Sequence, residues 1–287
     1  MRPTAPANTA KTSPANDASN LAGRAGIQSV EVGFTLLSVL AKSPQAMMLR
    51  DLAHAADMSP AKAHRYLVSF QRLGLVSQDP LSNRYDLGPA SLRIGLAGLS
   101  RSDPVRSARA AIADWSAQIG HTMALAVWGN QGPTMVHWHD GGAAAAAKLR
   151  LGDVMPLLSS ATGRCFLSFM AHRNPDHPAC ERMLQRELAA VAHHPQSDIP
   201  KDTNAVAALI SETHQHGVAR VVGSLIPGIS GLCAPVFDSQ GQLTMGLVTL
   251  GASGVFDADW NGETATTLRA FATQLSHDLG CPDTALR

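Results

Sequence analysis

The sequence predicts an α+β chain: an N-terminal winged helix-turn-helix, then an antiparallel sheet with helices on one face. Helix-period apolar patterns separated by turn residues fill 29–73, and two short strand-like pieces follow them. Beyond residue 103 the chain alternates helices with strands joined through hairpin turns.

At 287 residues and 45% apolar composition, the chain is long enough for two domains and too apolar for global disorder. It has no uncharged apolar run of about 18 residues, so no membrane-spanning helix is expected. Nor does an apolar stretch follow Arg2, and residues 1–25, rich in Ala, Asn, Ser, Thr and Pro, read as a flexible arm rather than a secretory signal. Cys165, Cys180, Cys233 and Cys281 form no C-x-x-C pair; they read as buried thiols of a cytoplasmic protein. The net charge of +1 conceals an asymmetry: residues 1–100 carry ten Lys/Arg against six Asp/Glu, the remainder thirteen against sixteen. A positive front half points to a polyanion partner for the first domain alone.

In 29–41, Val30, Phe34, Leu37 and Ala41 recur at helical spacing, joined by Leu36 and Leu40, and Ser43-Pro44 ends the helix. A short helix over 49–56 follows, with Leu49, Leu52, Ala53 and Ala56 inward. Ser59 and Pro60 suit the N-cap and first position of a third helix, which runs to Leu73 and stops at Gly74. On that helix Ala63, Leu67 and Phe70 share a face fit for packing. Lys62, Arg65, Ser69 and Arg72 share another, which offers cations and donors to a major groove. His64 lies off that stripe and either braces the motif or meets a phosphate. Strand pieces 75–77 and 84–87 around Asp79-Pro80-Leu81-Ser82-Asn83 make the wing. Residues 26–88 are thus the DNA-binding domain, and 89–103 a connector helix and linker broken at Ser102-Asp103-Pro104. Residues 104–287 form the second domain, with helices over 105–119, 162–172, 178–191, 202–216 and 260–279. Its strands are 122–128, 134–139, 232–237 and 243–250, and the Ala143–Ala147 run reads as a loop.

These residues resemble the IclR family of bacterial transcription regulators. The likeness rests on Ile27-Gln28-Ser29-Val30-Glu31, His64-Arg65-Tyr66-Leu67, Leu73-Gly74-Leu75-Val76 and Tyr85-Asp86-Leu87-Gly88-Pro89. In the second half it rests on Pro156 to Arg164, similar to the family's P-x-H-x-S-x-x-G-K segment, and on Ala234-Pro235-Val236-Phe237-Asp238. The resemblance implies a GAF-like effector domain, double-stranded operator DNA as partner, a small-molecule effector, and a homodimer or dimer of dimers. It carries the DNA contacts to Ser59 through Arg65, with Arg72 behind them and Ser82, Asn83 and Arg84 in the wing. It carries the effector contacts to Ala161, Thr162, Val221, Gly231, Val248 and Leu250.

The chain departs from the family pattern in ways that bear on both sites. Ala61-Lys62 replaces a small polar pair early in the recognition helix, and Leu158 stands where the family has His. The acidic stretch expected after Gly217 reads Val218-Ala219-Arg220-Val221-Val222-Gly223-Ser224. Polar pocket positions therefore become Val221, Gly231, Val248 and Leu250, which disfavours a small oxo-acid and favours an aromatic or hydrophobic effector, with a single acidic group held near Thr162. Plain core packing is the alternative for these six.

His137-x-His139, His193-His194 and His214-x-His216 lack carboxylate or thiolate companions at ligand spacing, so no metal site is expected. Gly228-Ile229-Ser230-Gly231 is not a nucleophile elbow, and neither H-E-x-x-H nor a P-loop occurs. No catalytic residue and no cofactor are expected. The functional classes left are a ligand-responsive DNA-binding regulator, or a small-molecule-binding protein or hydrolase whose winged helix serves protein contacts.

Overall fold

The computed structural model describes residues 26–99, 101, 103–141, 149–173, 178–191 and 198–283. The proposed arm, the Ala143–Ala147 run and His193-His194 lie outside them. Two compact units divide the chain, Met1–Ser102 and Asp103–Arg287.

The first unit runs α1 (Gln28–Lys42), α2 (Leu49–Ala55), α3 (Pro60–Arg72), β1 (Val76–Gln78), β2 (Tyr85–Leu87) and α4 (Pro89–Leu99). Its core gathers Leu36 and Leu40 of α1, Leu52 and Ala53 of α2, Ala63 and Leu67 of α3, and Val76 and Tyr85 of the wing. The inward face of α1 differs from the predicted stripe. Gly33, Leu36 and Leu40 are buried, while Val30 and Phe34 are 64% and 63% exposed. The reason is a close helix crossing: a Cβ on Gly33 would meet Phe70 Cζ at 2.9 Å and Tyr66 Cδ1 at 3.0 Å, so this glycine lets α3 lie directly on α1. A periodicity argument that scores only apolar side chains overlooks such a contact.

The second unit contains α5 (Pro104–Ile119), β3 (Thr122–Gly129), β4 (Gly132–His139), α6 (Ala161–Arg173), α7 (Pro178–Val191), α8 (Thr203–His216), β5 (Ala219–Val222), β6 (Ile229–Phe237), β7 (Leu243–Ala252) and α9 (Glu263–Asp278). Its antiparallel sheet has the order β4-β3-β7-β6-β5. Helices cover both faces of this sheet, not one. Met123, Leu125, Leu232, Ala234, Met245 and Leu247 pack against Ile112 of α5 and Leu268, Ala272 and Leu275 of α9. Their chain neighbours Ala124, Ala126, Cys233 and Val248 point the other way, onto Cys165, Phe166 and Phe169 of α6. Helix α6 is in turn covered by a further cluster that includes Leu158, Leu167, Cys180, Ile199 and Val206. Double burial explains why β3, β6 and β7 read as continuous apolar runs rather than alternating ones.

Strand β5 was not read from the sequence: it is four residues long and includes Arg220. Pro235 sits in β6 without cost to the ladder. The β5 partners of β6 end at Cys233, and beyond it the Phe237 N–H on that same side is met by Ser276 Oγ of α9 at 3.0 Å, so Pro235 falls where no strand asks for a donor.

Candidate functional site

The third helix is built as a projecting element. Ser59 Oγ accepts from the Lys62 N–H at 3.4 Å, Pro60 occupies the first turn, and Gly74 closes the far end with φ +70°. Ala63 and Leu67 are fully buried, whereas Lys62, His64, Arg65, Ser69 and Arg72 are exposed. The cationic stripe is therefore free to meet a partner, with its back fixed to α1 and α2.

The wing is held by its own side chains. Asp79 Oδ1 accepts from Leu81 N at 2.9 Å, Ser82 N at 2.6 Å and Ser82 Oγ at 2.9 Å, and these bonds, the Ser82 N–H foremost, hold the Asp79 carboxyl below its ordinary range. Asn83 takes the left-handed conformation, φ +56°, that closes the turn. Arg84 Nη1 donates to the Ala46 carbonyl at 2.9 Å, and Met47 pairs with Tyr85, so the wing is stitched to the α1–α2 loop. Ser82 and Arg84 are built into the architecture of the wing and, like Asn83 at its tip, they are exposed.

In the second unit, Ala161, Thr162, Val221, Gly231, Val248 and Leu250 all line one cavity of about 50 Å³. Val221, Gly231 and Leu250 form a row across β5, β6 and β7, in register. Ala161 and Thr162 come from the first turn of α6. That turn is fixed in three ways. Ser160 Oγ accepts from Gly163 N at 2.8 Å and donates to the Pro156 carbonyl at 2.6 Å. A Cβ on Gly163 would overlap the Pro156 carbonyl, so only glycine fits. The carboxylate of Glu187 accepts from Leu157 N at 2.7 Å and Leu158 N at 2.9 Å; burial pushes its pKa up, and these two bonds pull against that. Thr162 is buried in that first turn. The wall also takes Met135, Met155, Leu225 and Ile226, which the sequence reading missed. These come from β4, from a segment bridged to it and from the β5–β6 turn, and only the pairing of those segments could have revealed them.

His137 and His139 share a face of β4, and burial, helped by Arg109, lowers the His137 pKa. Among the described residues no group of three His, Cys, Asp or Glu is arranged to hold a metal ion.

The IclR helix-turn-helix domain family matches residues 29–80, and the bacterial transcriptional regulator IclR C-terminal family matches residues 96–277. The chain is a member of the IclR family. Among its relatives is the glycerol operon regulatory protein of Streptomyces griseus, 28% identical over 88% of this chain and 97% of that protein. Its Streptomyces coelicolor counterpart is 26% identical over the same shares. The crystal structure of Pseudomonas aeruginosa HmgR is similar with a TM-score of 0.78 and 33% identity, over 90% of this chain and all of that one. This IclR protein is therefore a transcriptional regulator with a DNA-binding helix-turn-helix domain and a C-terminal effector-binding domain. No described helix is long and apolar enough to cross a membrane.

Proposed function

We propose that this IclR regulator controls a catabolic operon from the cytoplasm as a homodimer, reading operator DNA through Lys62, His64, Arg65, Ser69 and Arg72 of α3 and Asn83 of the wing. Its effector is an aromatic or otherwise hydrophobic metabolite bearing at most one acidic group, and the protein itself catalyses no reaction. The observation that carries the effector class is the make-up of the cavity: side chains of Ala, Val, Leu, Ile and Met predominate, and of its three hydroxyls those of Ser160 and Ser230 are already bonded, to Gly163 N and the Pro156 carbonyl and to Ser253 Oγ, beside Thr162 at a helix N-terminus. A multiply hydrated oxo-acid would lose its water there without replacement, while an acidic group near Thr162 would meet the first-turn N–H groups of α6. The relatives named as glycerol operon regulatory proteins support the wider role.

The test is a gel-shift titration on the upstream promoter at several salt concentrations, with calorimetry on a panel of benzoate, phenylacetate, hydroxyphenylacetates, glyoxylate and pyruvate. Salt-dependent specific binding, with an aromatic acid changing DNA affinity by about 5–150-fold, is expected. Tight binding of glyoxylate or pyruvate with the aromatic acids inert would overturn the effector assignment, and salt-independent or absent DNA binding would overturn the regulator.

A further inference from the structure

The cavity is too small for the ligands its lining suits. Its volume is about 50 Å³, whereas an apolar cavity that takes a benzene ring is about 150 Å³. A wall must move to admit a ring, and the walls differ in how firmly they are held. The strand row is locked in the sheet ladder, and the first turn of α6 is fixed by Ser160, Gly163 and Glu187. Leu149 and Met155 come with the 149–155 segment, which is bonded to β4 through Met155 N to the Pro133 carbonyl at 2.7 Å, Met135 N to the Asp153 carbonyl at 3.0 Å and Gly152 N to the Met135 carbonyl at 2.8 Å. The wall left is the β5–β6 turn, residues 223–228, which contributes Leu225 and Ile226.

This turn has the features of a hinged flap. It starts and ends in the left-handed conformation, at Gly223 with φ +70° and Gly228 with φ +80°, and no atom lies within 4 Å of where a Gly228 Cβ would be. Its base is kept by backbone bonds, Gly223 N to the Ile229 carbonyl at 2.9 Å and Ser253 N to the Gly228 carbonyl at 2.8 Å. Just past Gly223 it is tied by a side chain: Ser224 Oγ, on a buried residue, donates to Asp198 Oδ2. Asp198 is in turn held by Arg164, whose Nη2 donates to the Asp198 carbonyl at 2.9 Å and lies 3.5 Å from its Oδ2. The same guanidinium donates through Nε to the Leu158 carbonyl and through Nη1 to the Arg220 carbonyl, both at 2.8 Å. It therefore joins the segment leading into α6, the edge strand whose next residue is Val221, and the anchor of the turn. Arg164 and Asp198 also line an open groove of about 1110 Å³ between α8 and β5, so the anchor is reachable from outside.

We infer that the Gly223–Gly228 turn is the gate of the effector cavity, and that Ser224, Asp198 and Arg164 are positioning residues that latch it shut. The inference rests on the reading of this cavity as the effector site, although the latch itself is defined without any ligand. Opening breaks the Ser224–Asp198 bond and swings Leu225 and Ile226 outward about the two glycines; closing over a bound ring restores it. A planar guanidinium can hold three carbonyls at once, which the ammonium usual at this family position does less well.

Hydrogen–deuterium exchange on the full chain without ligand tests this. Ser224→Ala and Asp198→Ala are each expected to speed exchange across 223–229 by about tenfold, the scale of one lost charge-assisted hydrogen bond, with β3, β4 and α9 unchanged. Ser224→Thr keeps the hydroxyl and should keep protection, and Arg164→Lys should loosen the same stretch. In parallel, 8-anilinonaphthalene-1-sulfonate fluorescence should rise in Ser224→Ala over the parent protein; apolar surface elsewhere is common to both and cancels. Exchange that stays at the parent level in Ser224→Ala, or rises equally throughout the domain, overturns the gate, as does unchanged dye uptake. Protection retained in Arg164→Lys removes Arg164 from the latch. Because none of these readouts uses an effector, a failed effector class would leave them standing, and their failure would leave the effector class standing.

Discussion

Lys62 and Arg65 stand one turn apart on a helix whose opposite face is sealed by Ala63 and Leu67, so each can be removed without disturbing the core. Lys62→Ala and Arg65→Ala are expected to weaken operator binding while leaving the thermal midpoint close to the parent value. A lost phosphate contact should reduce the salt slope by about 1, and a lost base contact should cost about 1–3 kcal/mol and relax specificity. Unchanged titrations in both variants would count against α3 as the reading helix. His121 gives a prediction of another kind. Its ring packs on Phe256 at 4.9 Å, and burial lowers its pKa below the usual 6.5. The native state then binds fewer protons than the unfolded chain, so the stability this group contributes is present above its unfolded pKa and lost as pH falls through the folded value. His121→Asn should accordingly lose less of its melting temperature than the parent between pH 7.5 and 5.5. The charged stripe was legible in the sequence because its chemistry and its helical spacing coincide. The burial of His121 was not, since it depends on Phe256, far away in the chain.

Among the elements, those with a strong local signal were legible: capped helices such as α3 and α8, and the β6–β7 hairpin with its Asp238–Gly241 turn. Strand β5 escaped notice because it has only four residues, and its partner β6 defines it more than its own pattern does. The six cavity positions were placed by family likeness. What puts Val221, Gly231 and Leu250 side by side is strand register, which no local pattern specifies. That row supplies a direct probe. A Cβ on Gly231 would sit 3.4 Å from the Thr249 carbonyl and 3.5 Å from Leu250 Cβ, ordinary contacts, so a side chain can be introduced there. Gly231→Val is expected to fill the cavity. Effector affinity by calorimetry should fall by at least about tenfold, equivalent to 1.4 kcal/mol, while DNA binding without effector is unchanged. Full effector response in this variant would place the site elsewhere.

For the whole molecule, the proposed homodimer draws on what α1 and α4 leave uncovered. Ile27 at the N-cap of α1 and Val30 and Phe34 within it are 69%, 64% and 63% exposed, and Leu92, Ile94 and Leu96 on α4 are 65%, 64% and 55% exposed. A protein reading two half-sites about 34 Å apart, or a multiple of that, needs a twofold contact, and apolar surface of this kind suits one. Sedimentation at micromolar concentration should show a dimer or larger species, and Phe34→Glu should shift the protein toward monomer and weaken binding to a palindromic site more than to a half-site. A monomeric parent that still binds specifically would refute this. The sheet of the second unit has a consequence of its own. Because helices shield both of its faces, β3 and β7 are free to be wholly uncharged, Thr122–Gly129 and Leu243–Ala252 without a single Asp, Glu, Lys or Arg. Once the helices detach, these become long, β-prone, chargeless stretches that pair readily with copies of themselves. Heating should therefore end in precipitate rather than in a reversible transition, with an apparent midpoint that climbs with scan rate, and the working lifetime of the regulator in a warm cell is then set by how rarely those helices lift away.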